Sequence, residues 1–285
     1  GNLTITEGIF NTNASSDHAL TVTGAIHIDG TLTGNASAIS GDSVHIDGTF
    51  THNGALTVSG IAATNYAFQN LGTWTPSTSQ VTTFTGDGDG TYHVKSNDWN
   101  SVVINAAGEQ YIFRPKTGTG ITFVDDLTVT AGDLIQNNNG DSWTVGGDVL
   151  VSDDTLGVST ATGSFTFGSL TIASGATFNA TSGTTTITSR TGGTGTYGLE
   201  NNGTFTHNNG TVAITDADDI VSMKLGANLY NLTLSGGTKK IRDNTTINND
   251  LTLTSGDLYA HSSSLTLTVT RDVDITSGGS IGVTL

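Results

Sequence analysis

The short string His27-Ile28-Asp29 is repeated as His45-Ile46-Asp47. Imidazole nitrogens and carboxylates are donors that hold divalent transition metals, and neighbouring turns of a regular structure would bring four of them together. In a strand Ile26, Ile28, Val44 and Ile46 point one way and the histidines and aspartates the other. With the aliphatic residues inside, the four polar side chains form an outward ladder. The ordinary reading of such a ladder is a plain surface row; its chemical reading is a divalent-metal site.

Gly86-Asp87-Gly88-Asp89-Gly90 sets alternate carboxylates among flexible glycines, which suits the oxygen-rich shell that calcium requires. Asp87 and Asp89 are therefore the candidate calcium ligands, with Asp216-Asp218-Asp219 and Asp125-Asp126 as weaker candidates. The string lacks both the distal bidentate Glu of an EF-hand and the tandem nonapeptides of repeat-toxin β-rolls, so a Gly-rich turn is the default. No other cofactor is expected. Trp74 and Trp99 lie in an aromatic-rich stretch and are read either as local packing or as a platform for sugar rings.

Acid–base catalysis on a polysaccharide needs clustered carboxylates, or a base beside a metal. Lys and Arg together number only 9. Their close groups, Arg114 with Lys116 and Lys239 with Lys240 and Arg242, lie in no recognisable catalytic motif and read as solvated turn charges. The chain is expected not to be an enzyme.

The elements that must position these residues are strands. Glu occurs only at Glu7, Glu109 and Glu200 and Met only at Met223, so no long segment has a surface-helix composition. Thr, Val and Ile, whose branched β-carbons suit a pleated strand, are abundant beside 38 Gly and only 2 Pro. The net charge of -16 argues against nucleic acid or an anionic membrane as partner. Without cysteine, stability must come from stacking and hydrogen bonding. No apolar run approaches the ~20 residues of a membrane-spanning helix. Both ends of the sequence lie within strand-like patterns, and a mature form or a piece of a longer protein is expected.

Internal repeats set the architecture. Ala25-Ile26-His27-Ile28-Asp29-Gly30-Thr31-Leu32-Thr33 recurs as Ser43-Val44-His45-Ile46-Asp47-Gly48-Thr49-Phe50-Thr51, and Ala19-Leu20-Thr21-Val22-Thr23-Gly24 recurs at twice that step as Ala55-Leu56-Thr57-Val58-Ser59-Gly60. Much further along, Asp126-Leu127-Thr128-Val129-Thr130 aligns without gaps on Asp250-Leu251-Thr252-Leu253-Thr254. Each string alternates apolar residues with Thr and ends in Gly, Asn or Asp, where a turn needs φ > 0. A strand this short cannot bury its own apolar face, but coils stacked at ~4.8 Å place like on like. The spacing predicts an all-β, right-handed parallel β-helix of roughly 14 coils, each of roughly 18–24 residues.

Asn231-Leu232-Thr233-Leu234-Ser235-Gly236-Gly237-Thr238, Asn249-Asp250-Leu251-Thr252-Leu253-Thr254-Ser255-Gly256 and Trp143-Thr144-Val145-Gly146-Gly147-Asp148 resemble the repeats of large microbial surface proteins of the filamentous-haemagglutinin-like and autotransporter-passenger style. The resemblance implies a cell-surface β-helix and carries over no binding residue.

Residues 1–60 and 124–285 are expected to be coils of one solenoid. Residues 61–123, rich in aromatics and holding Pro76 and Pro115, are expected to form an irregular insertion or side subdomain. The functional expectation is an extracellular structural protein of a surface fibre, filament or surface layer. It would assemble head to tail with copies of itself through uncapped β edges, which grow filaments because the contact does not close. Alternatives are a carbohydrate-binding adhesin module gripping surface glycans and a β-helix polysaccharide-active enzyme.

Overall fold

The computed structural model describes every residue except 14, 62–65, 87, 89, 137–139, 158–160, 194–195, 218–219, 227, 277 and 284–285. The alternation of apolar and Thr residues produces parallel strands stacked as a β-solenoid of about 12 turns. The only helical piece among the described residues is the short 3-10 turn Thr191–Gly193, and no helix there is long and apolar enough to cross a membrane. The chain divides into two units, Gly1–Asn138 and Asn139–Leu285.

In the first unit three columns of strands account for each coil. One runs through Leu3, Ile26, Val44, Phe68, Val94 and Phe113, all at inward positions. The second stacks Phe10, Leu32, Phe50 and Trp74. The third carries Val58, Phe84, Ile104 and Val129. Strands in register along the axis hydrogen-bond at every step while their inward side chains form continuous apolar ladders.

The second unit repeats the plan with its own columns. Val145, Phe167, Ile187, Ile214, Leu234, Leu253 and Ile275 form one ladder. Val149, Leu170, Leu199, Met223 and Ile241 form another, and Leu156, Phe178 and Phe205 begin a third.

Coil length is less regular than the sequence suggests. One coil carries the chain from Ile26 to Val44 and another, slightly shorter, from Ile39 to Leu56, whereas the coil from Leu170 to Leu199 is more than half as long again. Longer coils explain why there are about 12 turns in place of about 14.

The aromatic stretch requires a correction. Tyr66–Asn70 pairs with Val44–Ile46 on one side and Thr91–Lys95 on the other, and Thr73–Pro76 pairs with Thr49–His52. Val81–Phe84 is likewise held between Leu56–Val58 and Ser101–Arg114. The described residues of 61–123 therefore continue the solenoid, and their aromatic cluster lies inside it. Sequence periodicity hides this because the coils from Val44 to Phe68 and from Phe68 to Val94 are both longer than the Ile26-to-Val44 step that defines the repeat. Both prolines sit where a strand tolerates them: Pro76 ends one strand and Pro115 directly follows another.

Candidate functional site

The His–Asp ladder is fixed from beneath. Ile26, Ile28 and Ile46 have no exposed surface and Val44 almost none, so the strands Ile26–Ile28 and Val44–Ile46 cannot rotate their polar faces inward. They pair in register with His27 on His45. The turns that follow are equally constrained: the amides of Asp47 and Gly48 both donate to Ile28 O, at 2.9 and 2.7 Å. A Cβ on Gly48 would lie 2.0 Å from Gly30 O, so only glycine lets the two turns approach this closely.

Asp47 thereby lies against both rings. Its Oδ2 is 3.0 Å from His27 Nε2 and 2.9 Å from His45 Nε2, while Asp29 Oδ1 is 3.3 Å from His27 Nε2. The ring centroids are 4.7 Å apart at 57°. The hydrogen bond from His27, followed by the charge of His45, holds the Asp47 carboxyl below the usual carboxylate range against an opposing burial effect. His27 and Asp47 remain open to water, with 42% and 40% of their side chains exposed, so an ion could enter.

The cluster occupies two coils. Its column continues as Thr4 below and Gln69 then Lys95 above, and Leu71 takes the turn position that Asp29 and Asp47 occupy. Neither Gln69 nor Leu71 extends the donor set.

The other candidates separate. Asp87 and Asp89 lie outside the described residues, but Gly88 between them donates its amide to Glu109 Oε1, so a largely buried carboxylate grips this loop from the strand Ser101–Arg114. Among the weaker acidic candidates, Asp216 is buried with Oδ2 3.8 Å from Arg190 Nε, Asp125 Oδ2 accepts from Ser101 Oγ at 3.3 Å, and Asp218 and Asp219 are again outside the described residues. Trp74 is 6% exposed and Trp99 fully buried. Trp99 packs on Phe68 at 4.8 Å and Phe113 at 5.6 Å, so these indoles fill the core and offer no face to a sugar.

Lys239 corrects the reading of the basic group as solvated. It pairs between Val221 and Leu258 at an inward position and is fully buried, with Nζ donating to Asp216 O at 2.6 Å and Gly236 O at 2.7 Å. Arg242 stays near the surface, donating to Ser222 Oγ at 3.0 Å and lying 2.9 Å from His261 Nε2.

Two buried or half-buried histidines carry no signal in the sequence. His52 donates Nε2–H to Ser37 O at 2.7 Å, and its buried Nδ1 has no hydrogen-bond partner among the described residues; burial lowers its pKa, opposed by that bond. Burial, and then the charge of Arg114, lowers that of His93. Glu109 carries one signal, as one of three Glu in the chain, but nothing in its spacing links it to a loop about one coil away. No family model, no curated protein and no solved structure matches this chain.

Proposed function

We propose that this chain is a length of an extracellular surface fibre, filament or surface layer, with a structural role and no catalytic one, and that its coils extend by β-stacking between copies. The observation that carries this reading is the state of the outermost core ladders. Phe10, the first residue of the Phe10–Leu32–Phe50–Trp74 column, is 38% exposed, whereas Leu32 and Phe50 are completely buried. In the second unit Val273, Ile275 and Ile281 cover the buried Leu251, Leu253 and Leu258, yet are themselves 51%, 44% and 42% exposed. Beside them an apolar hollow is lined by Ile241, Leu258, Ala260, Leu265, Leu267 and Ile281.

Such a surface has the chemistry of an interface between two coils, because half-exposed apolar ladder positions on a strand are suited to a further parallel strand. The acidic surface and the likeness of the repeats to microbial surface proteins support placement outside the cell.

The test is sedimentation velocity and negative-stain electron microscopy of the purified chain over a range of concentrations. Linear oligomers that lengthen with concentration, and that Val273→Lys with Ile275→Lys disperses, are the expected result. A chain that stays monomeric throughout overturns the assembly reading.

A further inference from the structure

We propose that His27, His45 and Asp47 form a binding site for a divalent transition metal of the zinc type, with Asp29 beside His27. The proposal is independent of end-to-end assembly, because the site lies on the side of two inner coils.

The geometry carries it. Three donor atoms, one from each residue, lie within 4.8 Å of one another. Zinc bound tetrahedrally at about 2.0–2.1 Å sets its donors roughly 3.4 Å apart. The 2.9 and 3.0 Å separations at Asp47 Oδ2 therefore need to open by a few tenths of an ångström, and the two imidazole nitrogens, within 4.8 Å of one another, close onto the ion by turning about their side-chain bonds. The ion takes the Nε2 lone pair of each neutral ring, the ring's single proton then sitting on Nδ1, and any proton displaced from Nε2 passes to water.

Convergence of this kind ordinarily costs conformational entropy, and here the fold has met most of that cost. Both histidines extend from strands whose flanking residues are buried, and Asp47 is set by the turn bonds to Ile28 O. Two imidazoles with carboxylates select zinc and its transition-metal neighbours, whereas calcium and magnesium prefer a shell of oxygens alone. An ion held by His27 and His45 also cross-links successive coils, so it should slow their local opening.

Zinc is titrated into the full chain by calorimetry while the imidazole nitrogens are followed by long-range proton–nitrogen NMR. One zinc per chain is expected, with the Nε2 signals of His27 and His45 shifting together and those of His52 and His93 unchanged. His27→Gln, His45→Gln and Asp47→Asn should each weaken binding by more than about tenfold, and calcium should not compete. These side chains reach the surface, and unchanged backbone spectra of the variants would establish that they fold. Signals of His27 and His45 that stay in place at saturating zinc, or zinc binding that survives any of the three substitutions, overturn the site.

Discussion

The coils around Trp99 and those around Leu234 obey one plan with different fillings. In the first unit Phe50, Phe68, Trp74, Phe84, Trp99 and Phe113 form a continuous aromatic core with neighbouring centroids 4.7–6.4 Å apart. In the later coils of the second unit, Ile214, Leu234 and Leu253 stack aliphatic on aliphatic. The coils that join those three positions are shorter than the two that meet at Phe68, which run from Val44 and on to Val94. A longer circuit encloses more volume, and a close-packed interior requires larger side chains to fill it. Around Phe68 large side chains fill long circuits, yet the longer coil from Leu170 to Leu199 joins two leucines, so side-chain size is not tied to strand pairing and aromatic richness is a poor sign of departure from the solenoid.

That contrast can be broken most directly by emptying each core. Trp99→Ala should destabilise the first unit by roughly 3–5 kcal/mol and Leu234→Ala the second by about 2–5 kcal/mol, with the larger loss expected where the larger cavity is left behind. Segment-resolved hydrogen exchange in urea reads both, and equal losses would mean that filling volume does not distinguish the regions.

The turns, by comparison, should respond alike. A Cβ would meet backbone oxygen at 2.0 Å from Gly48 in the first unit and 1.7 Å from Gly163 in the second, whereas Gly120 has open space. Alanine at Gly48 or Gly163 should cost about 1–3 kcal/mol and at Gly120 less than about 0.5 kcal/mol, measured by denaturant midpoint. A tolerated Gly48→Ala would show that the turns can separate.

Acid should distinguish the units again. His52 and His93, both in the first unit, have pKa values below the ordinary histidine value of about 6.5. As pH falls below that value the unfolded rings take up protons before the folded ones, so the stabilisation present at neutral pH is progressively lost until the lower folded values are passed. Hydrogen exchange at pH 7 and pH 5 should show the strands around His52 losing protection, and His52→Gln should flatten that response. An unchanged slope in the variant would exclude His52 as its source.

The smallest effect is expected at the exposed Arg271, which meets Asp250 at 2.7 Å and Asp272 at 3.2 Å in water-screened contacts. Arg271→Ala should cost no more than about 1 kcal/mol, and less in high salt. A larger loss would show that surface charges help hold the aliphatic coils together.

Much of this is legible in the chain because it is local. The residues flanking His27 and His45 alternate with a period of two, which alone orients both rings outward, and the recurrence of the surrounding string correctly stacks one on the other. Lys239 is misleading for the same reason: in Thr238-Lys239-Lys240-Ile241 the two lysines are adjacent, and only pairing with Val221 and Leu258 shows which faces inward. Glu109 and Gly88 meet across a full circuit of the chain that no motif marks.

By itself the sequence determined that this protein is a stack of short parallel strands, since alternation and Gly- or Asn-bearing turns act within a few residues of each other. The tertiary structure alone decided where each coil closes, because loops of unequal length can bring different strands into register and only packing selects among them. That choice placed the aromatic residues in the core and aimed Asp47 at two histidines. The donor residues were visible in the chain; their convergence on one carboxylate oxygen is a property of the fold.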